Sequence, residues 1–231
     1  MVVRTSYHDV TMALHSWTVW DFTMSSPYQD DGVIENMIDA PDIRGLEAIP
    51  AGAMPNRAPA PVEAWNPTYA APIDIAIDID GNWFHEGSPV RRAGLVALFA
   101  SILRREPDGS YVLVTPVEKR NIKVADVPFL AVDISTDGTA SNQTVTLTTN
   151  MGDSVTIGKD HPMRFAEGAA AGDVALPYVT VRGGLEARVA RAVFPDLVAA
   201  GCVEKHHGDR WFGVWSSGCF WPMMMADEAG A

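Results

Sequence analysis

With 231 residues, 47% of them apolar, the chain can bury a sizeable core in one or two domains. Its formal net charge of -12 excludes a protein that coats DNA or RNA, which needs a clustered basic surface. A small anionic ligand remains compatible, because a few basic groups in one pocket suffice for it.

Residues 1–61 read as an acidic, proline-rich N-terminal extension, loosely ordered. Asp30, Asp31, Glu35, Asp39, Asp42 and Glu47 supply the acidity, and Pro50, Pro55, Pro59 and Pro61 prevent a continuous helix or central strand. One short helix around Gly32 to Ile38 fits the pattern, and Met24 offers an alternative start. Val10–Trp20 is too short and too polar to cross a bilayer, and no secretory signal is visible, so the expectation is a cytoplasmic protein with no membrane association.

The first folded domain is expected over residues 62–117. Ile73, Ile75, Ile77 and Ile79 alternate with Asp74, Ala76, Asp78 and Asp80, the period of a half-buried strand. Asp80-Gly81-Asn82 signals a hairpin turn, followed by a short strand from Trp83 to Glu86. Ser88 as N-cap and Pro89 at the first helical position predict a helix from Pro89 to Arg105, with Leu95, Leu98, Phe99 and Ile102 on one face. Pro107-Asp108-Gly109 ends it, and Tyr111 to Thr115 follows as a buried strand.

A second, β-rich domain is expected over residues 118–222, with a frayed tail over 223–231. Short strands are predicted at Ile122 to Val124, Phe129 to Ser135, Thr144 to Thr149, Ser154 to Ile157 and His161 to Phe165, forming an antiparallel meander. Glu167 to Asp173 is a small-residue loop. A strand from Tyr178 to Arg182, a Gly183-Gly184 turn and a helix from Leu185 to Ala200 then repeat the earlier order, and Trp211 to Trp215 closes it as a strand. Pro195 should kink or split that helix. The fold class is therefore α+β, in two domains related by internal duplication.

Three constellations can hold a ligand. Strand, glycine turn and helix start meet at Arg182-Gly183-Gly184, where free helical amides and a guanidinium suit phosphate or carboxylate; a tight turn with Glu186 pairing an arginine explains the same residues. Thr115, Glu118 and Lys119 follow a buried strand, where open sheets place ligand contacts. Trp83, His85 and Glu86 offer a stacking ring, a donor and an acceptor, although a tryptophan here also fits the core. Neither a phosphate loop, a dinucleotide fingerprint nor a metalloprotease spacing is present, so no cofactor is expected. Cys202 and Cys219 lack zinc spacing, the adjacent His206 and His207 point apart in an extended chain, and Trp215-Ser216-Ser217-Gly218 lacks the Gly-x-Ser-x-Gly of a nucleophile elbow. No metal site and no catalytic residue are assigned, which moves the balance from catalysis to binding.

Trp83-x-x-Glu86-Gly87, Leu98-Phe99 with Ile102 to Arg105, Leu113 to Lys119, Val181 to Arg188 and Gly213 to Ser216 together resemble a bacterial family of uncharacterised proteins, domain-of-unknown-function family 1285. The resemblance covers Val62 to Pro222; Pro195 departs from the family's uninterrupted helix. It implies a duplicated two-domain core, a C-terminal domain similar to a pleckstrin-homology-like β-barrel with a helix, and a cleft that holds a nucleotide-derived ligand in a signalling role. The expected function is thus ligand binding or signal transduction, with a small anionic, nucleotide-derived partner in the cleft. The alternatives are an enzyme on a small phosphorylated metabolite, with His85 and Glu86 as acid and base, and a module that binds a protein partner.

Overall fold

The computed structural model describes residues 60–166 and 175–226. The expected helix at Gly32 to Ile38, the bulk of the N-terminal extension and the loop from Glu167 to Asp173 lie outside them. The described chain is mostly β-structure with few helices, arranged as two sheet-rich parts.

The first part is built on β1 (Thr68–Tyr69), β2 (Ile75–Ile77), β3 (Trp83–His85), β4 (Ser88–Pro89), helix α1 (Ala93–Ser101), β5 (Leu103–Arg105), β6 (Tyr111–Val114) and β7 (Glu118–Val124). Its sheet has the order β4-β3-β2-β7-β6-β5, with β1 parallel to β7. The expected start of the second domain, Glu118, falls inside the first: β7 begins there and hydrogen-bonds to β6 and β2 in this sheet. The isoleucine alternation holds at β2, where Ile75 and Ile77 are buried. The strand ends because Asp78 folds back on the turn: its Oδ1 accepts the amides of Asp80 at 2.9 Å and Asn82 at 2.8 Å. Gly81 has φ of 75°, a conformation that favours glycine, and a Cβ there would sit 2.9 Å from the Asn150 side-chain amide, which would have to shift.

The expected helix from Pro89 to Arg105 is cut at both ends. Ser88 and Pro89 pair with His85 and Phe84 as a strand, so Ser88 is no cap; Arg92 takes that position without a side-chain bond. At the far end Leu103 to Arg105 leave the helix to pair with Tyr111 to Leu113.

The second part contains β8 (Phe129–Asp137), β9 (Thr144–Thr149), β10 (Ser154–Thr156), β11 (Met163–Ala166), β12 (Leu176–Arg182) and β13 (Leu185–Val189), then α2 (Phe194–Ala199) and the meander β14 (Gly201–His206), β15 (Asp209–Ser216) and β16 (Cys219–Met225). The six-stranded sheet runs β10-β9-β8-β13-β12-β11. It curls so that β11 approaches β16 and β9 approaches β15, a half-barrel. The helix expected from Leu185 is replaced by β13: Leu185, Ala187 and Val189 alternate into the core while Glu186 and Arg188 take the other face. Gly183 and Gly184, with φ of 50° and 73°, form a two-residue hairpin turn between β12 and β13, not a helix entry. Pro195 kinks nothing, because it lies in the first turn of α2, where amides are unpaired in any helix. Met224 and Met225, expected as tail, are paired with Phe212 and Trp211 of β15, and Met223 lies in β16 at the bulge beside them.

One continuous cluster of buried side chains spans both parts, from Ile75, Trp83 and Phe99 through Phe129 and Leu147 to Val179, Leu197 and Val214. The two parts are therefore fixed against each other by shared apolar contact as well as by the linker Ala125 to Pro128.

Candidate functional site at the domain junction

The pleat of β11, β12 and β13 sets up the site. Side chains alternate across a sheet, so while Val179, Leu185 and Ala187 enter the core, the opposite face carries polar residues. On that face Arg164, Tyr178 and Arg188 form one cross-strand row, and Thr180 with Glu186 forms the next. The first domain meets this face with Arg105 and Tyr111, and the linker with Asp126.

Glu186 is the centre. Its side chain is 11% exposed and accepts two bonds from Arg164, from Nε at 2.6 Å and from Nη2 at 2.9 Å. Arg105, from β5 of the first domain, reaches the same carboxylate at 3.6 Å and donates to the Gly184 carbonyl at 3.3 Å. The Arg164 guanidinium lies 4.1 Å from the centre of the Tyr178 ring, and Arg105 lies 5.9 Å from that of Tyr111. The Tyr178 hydroxyl donates to Asp126 at 3.1 Å, and Arg188 binds Asp126 at 3.7 Å and the Ile79 carbonyl. Three guanidiniums, two carboxylates, the Tyr178 phenol and the Tyr111 ring thus form one cluster.

The electrostatics follow from burial and pairing. The bond to Glu186 raises the Arg164 pKa above its ordinary value, against the effect of burial. Burial pushes the Tyr178 phenol up, and the charge and hydrogen bond of Asp126 push it further. Burial likewise raises Tyr111. Arg105 and Arg164 keep side-chain exposures of 39% and 48%, so each is held from behind by Glu186 while its outer edge faces solvent. Among the described residues, no hydrogen bond uses Arg164 Nη1 or Arg105 Nε and Nη2. Such oriented N–H groups bind oxyanions with little ordering cost.

The residues singled out from the sequence divide. The Arg182-Gly183-Gly184 turn borders this cluster, but Arg182 itself is engaged internally: Nη1 bonds Asp153 at 2.7 Å, Nη2 bonds the Ala100 carbonyl at 3.0 Å, and the guanidinium covers the Phe129 ring at 4.9 Å. The position of an anion over the turn is approached by a chain carboxylate, since a Cβ on Gly183 would lie 2.6 Å from Glu63 Oε1.

Thr115 is buried and shapes its own turn, accepting the amides of Val117 and Glu118. Glu118 is bound by Arg120 through two bonds of 3.0 Å. Lys119 binds Glu106 at 2.9 Å. Burial pushes the Glu106 carboxyl up, and the bonds from Lys119 and Arg104 more than offset this, so its pKa lies below the ordinary value. Trp83 stacks on Phe99 inside the core. His85 pairs in β3 and Glu86 occupies the exposed turn after it, with φ of 48°. Among the described residues no hydrogen bond or ion pair joins Trp83, His85, Glu86, Thr115, Glu118 or Lys119 to the glycine turn.

The described residues contain no group of three or more His, Cys, Asp or Glu able to hold a metal. Ser216 is fully buried, donating to the Ile157 carbonyl and accepting the Val145 amide, a structural bridge. No described helix is long and apolar enough to cross a membrane.

Comparisons with known proteins agree in what they match. Residues 60–127 match the family model for the DUF1285 N-terminal domain, a domain of unknown function, and residues 128–223 match that for the C-terminal domain. A crystal structure of a DUF1285 family protein from Silicibacter pomeroyi DSS-3 is similar at 46% identity and a TM-score of 0.69, over 74% of this chain and 91% of that one. Another, from Shewanella baltica OS155, has 26% identity and a TM-score of 0.44, over 55% of this chain and 91% of that one. No curated protein matches.

Proposed function

The chain belongs to the DUF1285 family of proteins of unknown function, and from that premise we propose that it binds a small anionic ligand at the domain junction. The observation that carries the reading is the pair Arg105 and Arg164, brought together from two domains onto one buried carboxylate with their outer edges in solvent. In a chain of net charge -12, a concentration of guanidiniums around two carboxylates is the natural place for an anion. Arg105 and Arg164 hold the anionic group, Glu186 orients both, and the Tyr111 ring flanks the seat. The Arg182-Gly183-Gly184 turn forms its border.

A nucleotide-derived ligand and a cytoplasmic signalling role remain the finer form of this reading, with binding and not catalysis as the output. Both halves also carry a hairpin, a short helix and a three-stranded meander: β2–β3, α1 and β5–β7, then β12–β13, α2 and β14–β16. We read that recurrence as the trace of a duplication, with the half-barrel as its pleckstrin-homology-like part.

The test is thermal stabilisation by a panel of nucleotides, cyclic and dinucleotide forms included, and inorganic phosphate on the full chain, on Arg105→Ala and on Arg164→Ala. A ligand with a Kd of about 10 μM adds roughly 2.7 kcal/mol at hundredfold excess. Loss of that gain in both variants supports the seat. Absence of any stabilisation at millimolar ligand rejects it.

A further inference from the structure

The charges around the seat limit what it can hold. Arg105, Arg164 and Arg188 face Glu186 and Asp126, so three guanidiniums against two carboxylates leave one positive charge. The neighbouring pair Arg182 and Asp153 is neutral, and Glu63 at the rim of the glycine turn can only lower the balance. The surrounding chain is strongly acidic. An anion entering a part-buried seat is favoured where it cancels the local charge and opposed where it leaves an excess of its own sign.

Resting on the anion-binding reading above, we infer that the seat selects a singly charged oxyanion, a carboxylate or a phosphodiester, over a doubly charged phosphomonoester. Glu186 already displays the geometry: a planar O–C–O group receives two parallel bonds from Arg164 and the charge of Arg105. A ligand O–C–O or O–P–O edge needs only the outer N–H groups of the same two guanidiniums. Glu186 and Asp126 then act as specificity-determining residues, because each subtracts one charge from the seat without facing the ligand directly.

The experiment is titration calorimetry of the full chain at low, fixed ionic strength and pH 8, where a phosphomonoester carries close to two charges. The probes are benzoate, methyl phenyl phosphate and phenyl phosphate, which separate a carboxylate source from a phosphodiester source. One or both monoanions should bind about tenfold more tightly than phenyl phosphate, the effect of roughly one uncompensated charge at this depth. Glu186→Gln and, independently, Asp126→Asn should each move the ratio about tenfold toward phenyl phosphate. A merely structural role for these carboxylates would weaken all probes together and leave the ratio unchanged, which overturns the inference. A wild-type preference for phenyl phosphate overturns it too, while leaving the seat standing. Binding of none of the probes removes the seat itself and the charge rule with it.

Discussion

Glu186→Ala removes the group on which both domains converge, and its cost can be bounded from the contacts. Breaking a fully buried ion pair costs about 3–5 kcal/mol, whereas an exposed pair is worth about 0.2–1 kcal/mol. Glu186 belongs to the first class, with 11% of its side chain exposed; Arg164 and Arg105, at 48% and 39%, belong nearer the second. After truncation both guanidiniums stay hydrated, so the penalty of an orphaned buried charge is small. What is lost is chiefly the two charge-assisted bonds of Arg164, discounted for solvent screening. The expected loss is about 1–2 kcal/mol, or about 2–8 °C in Tm for a chain of this size. A double-mutant cycle with Arg164→Ala, read by thermal unfolding, should show a coupling of about 1 kcal/mol. Coupling near zero would refute the geometry. A loss above about 4 kcal/mol would show that the arginines are sealed from solvent and closed to a ligand.

Two further outcomes concern the β15 region and one the junction tyrosines. Ser216→Ala leaves the Val145 amide and the Ile157 carbonyl without their bridge and should cost about 1–3 kcal/mol in denaturant unfolding; wild-type stability would contradict it. Gly213→Ala places a Cβ 2.3 Å from the Trp221 carbonyl oxygen and 2.9 Å from Pro222 Cα, backbone that cannot yield, so a loss of about 2–3 kcal/mol is expected and an unchanged Tm would speak against the close β15–β16 approach. Tyr111 and Tyr178 have folded pKa values raised above 10.0, so their contribution is complete below the unfolded value and is lost as pH rises through the folded ones. Urea titrations from about pH 9 to 12 should show stability falling, with a shallower fall in Tyr178→Phe; identical slopes would exclude Tyr178 as a source.

The turns and strands around Ile75, Ile77, Tyr111 to Val114 and Trp211 to Trp215 were legible because one local pattern fits each. Leu185, Val189, Val193 and Leu197 were not, because a spacing of four residues satisfies both the period of a helix and that of a strand. The hairpin settles it: Gly183-Gly184 turns β13 back along β12, and Leu185, Ala187 and Val189 then alternate into the core as strand residues. Helical amides at the glycine turn would need a helix at Leu185; β13 supplies none. Ser88-Pro89 misled in the same way, since a capping pair and a turn-to-strand pair look alike until β3 is beside them.

The junction itself was only half visible. Arg182 to Arg188 stood out as a motif, and its blander reading, Glu186 pairing an arginine, is what the structure contains. Which arginines do so was not legible. Arg164 reaches Glu186 across β12, and Arg105 comes from another domain, so both contacts are set by sheet order and not by neighbouring residues. Thr115, Glu118, Lys119 and Trp83 were attractive as chemistry but are consumed by their own turn, ion pairs and core.

The most direct test of anion binding at the junction is to follow the arginine Nε–H resonances by NMR during titration with benzoate, with methyl phenyl phosphate and with the best nucleotide from the stabilisation screen. Arg105 and Arg164 should shift together and saturably, with Arg104, which is buried against Glu106 and two carbonyls, unmoved. Saturable shifts confined to other arginines, or no shift at millimolar ligand, would contradict the assignment of the seat to Arg105, Arg164 and Glu186.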